Sequence, residues 1–208
     1  MRTISRRRLS VLVLFLVSGS LSGAEIYVRA GSDGDGSKAN PLPCIWKALD
    51  KARRGDVILV AEGTYNGKGG SGHFVVSIPK LTLVGGYKAD FSERNPFKYL
   101  SVLERARDFK GDWTGLPESG GFIAGKGDHS GLVVDGFVLN GQSRNMYTPA
   151  GDISIKGSYP GVGFSANSPD VKIRNCIILN TLGDGIYCTW QGKENEISNC
   201  FITRVQNR

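Results

Sequence analysis

Ile173-Arg174-Asn175-Cys176-Ile177-Ile178 and Ile197-Ser198-Asn199-Cys200-Phe201-Ile202 stand 24 residues apart and share Ile, Asn, Cys and Ile at four of six positions. Gly161-Val162-Gly163-Phe164 and Gly185-Ile186-Tyr187-Cys188 align at the same shift, so two separate segments share one period. Upstream, Val133-Val134-Asp135-Gly136-Phe137-Val138 matches the Ile173 segment at a shift of 40, which reads as one repeat carrying about sixteen inserted residues. Val57 to Val60 and Leu81 to Val84 read as earlier copies. Each copy is a short β-branched run bounded by Gly, Asn or Asp, and no helical spacing separates the copies. Such a run cannot bury its apolar face alone, but it can when stacked in parallel on its neighbour at about 4.8 Å. The expected fold is all-β: a parallel β-helix, a solenoid of about five to six coils.

The expected strands of one coil are Ile186 to Cys188, a second ending at Ile197, and a third at Cys200 to Thr203. Alternation sends Ile186 and Cys188 inward beneath Val162 and Phe164, with Phe122 and Ala124 in the same file, and points Tyr187 outward. Asn175 and Asn199 fall at the bend between second and third strands, with Asp135 as their counterpart one coil above. Asn tolerates left-handed backbone and can satisfy local amides there, so Asp135, Asn175 and Asn199 are expected to form a structural ladder.

The ends of the chain carry different signals. Arg2, Arg6, Arg7 and Arg8 precede an apolar run from Leu9 to Val17, and small residues Ser22 and Ala24 follow at cleavage-compatible spacing. Residues 1–24 therefore read as a secretory signal peptide, since the run is far short of the ~20 residues of a membrane span. Of 26 basic and 19 acidic residues in 208, the leader holds four basic and no acidic ones, which leaves the remainder at +3. That excludes a strongly basic nucleic-acid footprint, and no stable membrane insertion is expected after cleavage. The expected location is secreted, periplasmic or cell-surface. Residues 25–56 read as an N-terminal cap: Ile45, Leu49 and Ala52 recur at helical spacing between Pro43 and Gly55, forming a short amphipathic helix over an otherwise open end. Coils are expected over 57–208, with insertions at about 88–120 and 141–160. The chain stops at Arg208 inside a coil, so the domain is expected to be C-terminally incomplete, its open end covered by missing coils or by a partner.

Ile26-Tyr27-Val28, Gly31-Ser32-Asp33, Asn40-Pro41, Ala48-Leu49, Gly55-Asp56-Val57-Ile58-Leu59-Val60 and Gly63-Thr64-Tyr65 resemble the N-terminal module of secreted right-handed parallel β-helix proteins of the pectin-lyase-like superfamily. Leu83-Val84-Gly85-Gly86-Tyr87 is similar to the continuation seen in many bacterial members. The resemblance implies a right-handed helix but no one activity, because the superfamily spans lyases, hydrolases and proteins with no known catalysis. It also implies that a saccharide would lie along the first-strand face, walled by the loops joining third strand to first. Those positions carry Arg144, Tyr147, Asp184, Tyr187 and Trp190, aromatic faces beside hydrogen-bonding groups that suit sugar rings. These five are the candidate substrate-binding residues, and a polysaccharide or other glycan is the expected partner.

No catalytic constellation can be named. Asp184 is the one acid placed on the groove near the first strand, without the paired carboxylates a hydrolase needs, and the Arg-centred pattern of the pectate lyases is absent. The expected function is an exported module that binds polysaccharide, the N-terminal part of a lyase or hydrolase; the alternative is a non-catalytic surface protein or adhesin. No cofactor is evident, and calcium enters by family resemblance alone. Asp33, Asp35 and Ser37 mimic the start of a calcium loop, but Lys38 and Cys44 stand where Gly and Glu are required, so a polar turn is expected. Gly67-Lys68-Gly69-Gly70-Ser71-Gly72 has dinucleotide-loop spacing but leads into the strand pattern from His73, so a Gly-rich turn is expected. Gly127-Asp128-His129-Ser130-Gly131 holds triad residue types in one turn, and adjacency in sequence does not orient a nucleophile and its base. Cys176 and Cys200 should stack as thiols, with Cys188 on another face and Cys44 in the cap.

Overall fold

The computed structural model describes residues 23–67, 74–104, 123–125, 127–140, 164–166, 168–181, 185–188 and 193–203. Their architecture is mostly β, with three parallel sheets and one helix. The six-stranded sheet comprises β1 (Glu25–Val28), β2 (Val57–Ala61), β5 (Thr82–Tyr87), β8 (Val133–Asp135), β11 (Lys172–Arg174) and β14 (Glu196–Ser198), in that spatial order. The five-stranded sheet runs β3 (Gly63–Asn66), β6 (Ser101–Glu104), β9 (Phe137–Asn140), β12 (Ile177–Leu179), β15 (Phe201–Thr203). The four-stranded sheet runs β4 (Phe74–Val76), β7 (Ile123–Gly125), β10 (Phe164–Ala166), β13 (Ile186–Cys188). From β2 onward the chain visits the six-, five- and four-stranded sheets in fixed rotation, so each strand up to β12 pairs with the strand three places on, and β1 pairs with β2.

Alternation within these strands generates the core. Ile26, Ile58, Leu83, Val134 and Ile173 are in register across the six-stranded sheet and all are buried. Tyr65, Leu103, Leu139 and Ile178 do the same across the five-stranded sheet, and Phe74 and Val76 enter from the four-stranded one. Burying each such side chain contributes on the order of 1.5–3 kcal/mol, so the files supply most of the favourable energy. At the last strands the same files open: Ile197 is 50% exposed and Ile202 44%. The helix α1 (Ile45–Lys51) lies at the other end, with Ile45 and Ala48 buried against the core and Leu49 and Ala52 packed on it. Buried polar groups at this end find partners: Ser101 Oγ donates to the Ala61 carbonyl at 2.9 Å and accepts Gly86 N–H at 2.9 Å.

Register decides several expectations. The 24-residue shift holds in two sheets, where Ile173 faces Ile197 and Ile177 faces Phe201. One round earlier the shift is 39, not 40, because Ile173 faces Val134 and Arg174 faces Asp135. Gly136 (φ +83°), rather than Asp135, therefore takes the left-handed bend that Asn175 (φ +51°) and Asn199 (φ +49°) occupy below it. A slip by one residue would have turned Val134 out and Asp135 into the core. In the four-stranded sheet Phe164 faces Ile186 and Ala166 faces Cys188, a shift of 22, and Ala124 faces Ser165. Phe164 thus does not lie over Cys188, and Cys188, expected inward, is exposed. A Gly-pattern match fixes a turn, whereas strand register follows from which apolar residues fill the interior. Within the span expected as an insertion, Ser101–Glu104 is itself a strand of the five-stranded sheet; the expected insertion over 141–160 lies outside the described residues. Gly23 and Ala24, assigned above to the leader, pack on the body: Ala24 N–H donates to Asp56 Oδ1 and its carbonyl accepts Val57 N–H.

The bend residues are bonded to each other. Asn199 Nδ2 donates to Asn175 Oδ1 at 2.6 Å and Asn175 Nδ2 to Asp135 Oδ1 at 2.8 Å, and Arg94 caps Asp135 through its guanidinium. Asp135 enters this chain from the strand position beside the bend. A second series, not seen in the sequence, runs at the end of the five-stranded sheet: Asn180 Nδ2 to Asn140 Oδ1 at 2.9 Å and Asn140 Nδ2 to Glu104 Oε1 at 3.2 Å. Asn175→Leu, which loses two side-chain bonds and strains the left-handed backbone, is expected to cost about 2–4 kcal/mol in urea unfolding. Asn175→Gly loses the same bonds but keeps the backbone free and should cost only about 1–2 kcal/mol; equal losses would show that the left-handed backbone adds nothing to the cost.

Candidate functional site

Each sheet presents one outward face, and the three differ in chemistry. On the six-stranded sheet the outward positions of the later strands are paired among themselves. Arg174 bonds Glu196 at 2.6 Å, Lys172 approaches Asp170 at 3.3 Å, and Arg94 meets Asp135. The guanidinium of Arg174 holds the Glu196 carboxyl below its ordinary range. At solvent-exposed sites such pairs add little to stability, but they engage the charges of this face with one another. At the start of the same face Tyr27 meets Phe91 edge-on with centroids 5.0 Å apart, and Tyr87 leans on Phe91 at 6.0 Å. Tyr27 Oη donates to Glu25 Oε2, and that carboxylate pushes the phenol up to about 12.

The five-stranded sheet turns an apolar file outward: Val102, Val138, Ile177 and Phe201 are in register, flanked by the Glu104, Asn140 and Asn180 series.

The four-stranded sheet is the face on which the sequence places its binding residues. One file crosses all four strands in register: Val75, Ala124, Ser165 and Tyr187. Val75 at one end is 41% exposed and Tyr187 at the other 43%. Three parallel strand steps separate them, about 14 Å. Between an exposed aliphatic and an exposed aromatic residue, the register places two of the smallest residue types, Ala124 and Ser165. Of the five expected substrate-binding residues the structure thus positions Tyr187; Arg144, Tyr147, Asp184 and Trp190 lie outside the described residues, as does most of the Gly67 to Gly72 turn. Val75 was missed because a lone Val between Phe74 and Val76 reads as core until register is known.

The remaining polar clusters are structural. His129 is fully buried, with Nδ1 3.0 Å from the Gly127 carbonyl and 3.1 Å from the buried Ser168 hydroxyl. The hydroxyl beside the imidazole comes from a turn 39 residues away, not from Ser130, whose N–H is bonded by Asp128 at 2.9 Å. Burial of both partners removes this pair from any solvent-borne substrate. Asp35 Oδ1 accepts Ser37 N–H at 2.9 Å, which lowers its pKa and makes the mimic of a calcium loop a polar turn. Both oxygens of Asp56 accept backbone N–H groups, of Ala24 and Arg53. Among the described residues no group of three or more His, Cys, Asp and Glu side chains could hold a metal ion. Among the same residues no helix is long and apolar enough to cross a membrane.

A family model described as a protein of unknown function, DUF1565, matches residues 29–92, which take in α1 and strands β2 to β5. No curated protein and no solved structure matches the chain. The matched span contributes Val75 to the four-stranded face, and the rest of that face lies beyond it.

Glu25→Gln should return the ionisation midpoint of Tyr27 from about 12 toward 10, because the carboxylate that holds the phenolic proton is removed. The difference in absorbance at alkaline pH between the two proteins reads this directly; coincident titrations would place Tyr27 away from Glu25.

Proposed function

We propose that the three sheets are the walls of a right-handed parallel β-helix, exported from the cell, whose four-stranded wall binds a polysaccharide. The strict rotation of strands among three parallel sheets supports the first part, together with the buried files of the six- and five-stranded sheets. The resemblance to secreted pectin-lyase-like proteins agrees with it. The observation that carries the binding reading is the in-register file Val75, Ala124, Ser165, Tyr187, exposed at both ends. Extended glycans offer repeating apolar ring faces edged by hydroxyls, and a track of small residues between apolar contacts suits them. Arg144, Tyr147, Asp184 and Trp190, close in sequence to this wall, are proposed to border the track and supply hydrogen bonds. The module is read as a binding unit, and any lyase or hydrolase chemistry of a larger protein would draw on residues other than those described.

Affinity electrophoresis against a panel of neutral and acidic polysaccharides tests the binding. Tyr187→Ala should raise the Kd about tenfold, the loss of one aromatic contact, with an unchanged unfolding midpoint because the side chain is exposed. Wild-type mobility unaffected by every polysaccharide, or equal retention of the variant, would remove this reading.

Export makes its own prediction. Cleavage after Ala24 would delete the donor to Asp56 Oδ1 and the acceptor of Val57 N–H. Ser20 and Ser22 are also small and two apart, so cleavage after Ser22 preserves both bonds. The protein recovered from the periplasm or medium is expected to begin at Gly23 by N-terminal sequencing; a start at Glu25 would contradict this.

A further inference from the structure

We infer that Cys176 and Cys200 form a dithiol that closes to an intramolecular disulfide on meeting a disulfide oxidant, pinning the last strands to the round before them. The register that pairs Ile177 with Phe201 places the residues immediately before them, Cys176 and Cys200, opposite one another on neighbouring rounds. Phe201 N–H donates to the Cys176 carbonyl at 2.9 Å, which ties the two backbones at this point. Cys200 Sγ approaches the Ile173 carbonyl of the round above at 3.5 Å, so its side chain reaches back toward the strand that leads into Cys176, whose own Sγ points at the Arg174 carbonyl at 3.0 Å. Neighbouring parallel strands hold Cα atoms about 4.8 Å apart, inside the 4.4–6.8 Å span that disulfides adopt. Bond formation requires the Cβ atoms to close from about 4.8 Å to the roughly 3.5–4.5 Å that disulfides adopt. Among the described residues β14 and β15, which flank Cys200, are edge strands of their sheets.

The two sulfurs are suited to different roles. Cys176 is buried, and burial together with its bond to Cys200 pushes its thiol up. Cys200 is half-buried, and the Cys176 hydrogen bond pulls its thiol below the ordinary value. Cys200 thiolate therefore attacks one sulfur of the oxidant, here oxidised glutathione, and expels one glutathione thiolate. The Cys176 proton passes to that thiolate. Cys176 sulfur then attacks the Cys200 sulfur of the mixed disulfide and expels the second glutathione. Two protein thiols and one disulfide become one protein disulfide and two thiols; the protein loses two electrons and glutathione gains them. Cys44, in the cap, and the exposed Cys188 have no part in this.

The inference goes beyond glycan binding and does not depend on it. The test uses the full chain carrying Cys44→Ser and Cys188→Ser, incubated natively with oxidised glutathione. The expected product has lost two hydrogen atoms by intact mass, yields a peptide linking Cys176 to Cys200, and unfolds at higher temperature than the dithiothreitol-treated protein. Adding Cys176→Ser should halt the reaction at a glutathione adduct on Cys200. Full alkylation of both thiols after native oxidation, or a persistent adduct on Cys200 with Cys176 present, would overturn the inference, and either is read on the parent protein without the third substitution.

Discussion

Parallel, in-register pairing of each strand with the strands three places away is the constraint from which the rest of this structure follows. It puts every residue of a round directly beside its counterpart at about 4.8 Å, so residue types that tolerate their own kind as neighbours are favoured at each position. Inward positions become aliphatic files from Ile58 to Ile173 and from Leu103 to Ile178. Bends become positions where Gly136, Asn175 and Asn199 adopt left-handed backbone in succession. The amide side chain adds what glycine cannot: a bond to the round above, so that the bend is fixed in three dimensions as well as in dihedral angle.

The same constraint separates scaffold chemistry from surface chemistry. A charged group on a strand lies next to whatever the adjacent strand presents, and in the six-stranded sheet this pairs Arg174 with Glu196, while Arg94 from the loop after β5 meets Asp135. Mutual engagement lowers the capacity of that face for a ligand. The four-stranded sheet instead places the small residues Ala124 and Ser165 in register between Val75 and Tyr187, which are exposed. This contrast, rather than any one side chain, underlies the proposal that a glycan lies along that wall. Open files at Ile197 and Ile202 follow from the same geometry, since among the described residues β14 and β15 have no further strand beside them.

Much of this was legible in the sequence where two copies retained both their apolar and their bend residues. The pair of segments beginning at Ile173 and Ile197 gave the correct register because Asn and Cys mark the bend in each. The Val133 segment misled by one residue: Gly136 can replace Asn at a left-handed position, and Asp135 beside it looks like the ladder residue when only letters are compared. The Gly-rich starts near Gly161 and Gly185 misled by two, as glycine marks turns of variable length and carries no face. Glu104, Asn140 and Asn180 were invisible as a series, since Asn140 faces Leu179 in the ladder and the sequence spacings of the three differ.

The sequence by itself determined the class of structure: recurring short β-branched runs, bends marked by Gly or Asn, and a helix near the N-terminal end. Those are local properties, set by propensity and by the need of each run to bury one face. Only the tertiary structure decided which residues meet. Inserted segments of different length between the runs hide the register, and it is register, selected by how side chains fill a shared interior, that brings Cys176 to Cys200, Ser168 to His129, and Val75 into line with Tyr187.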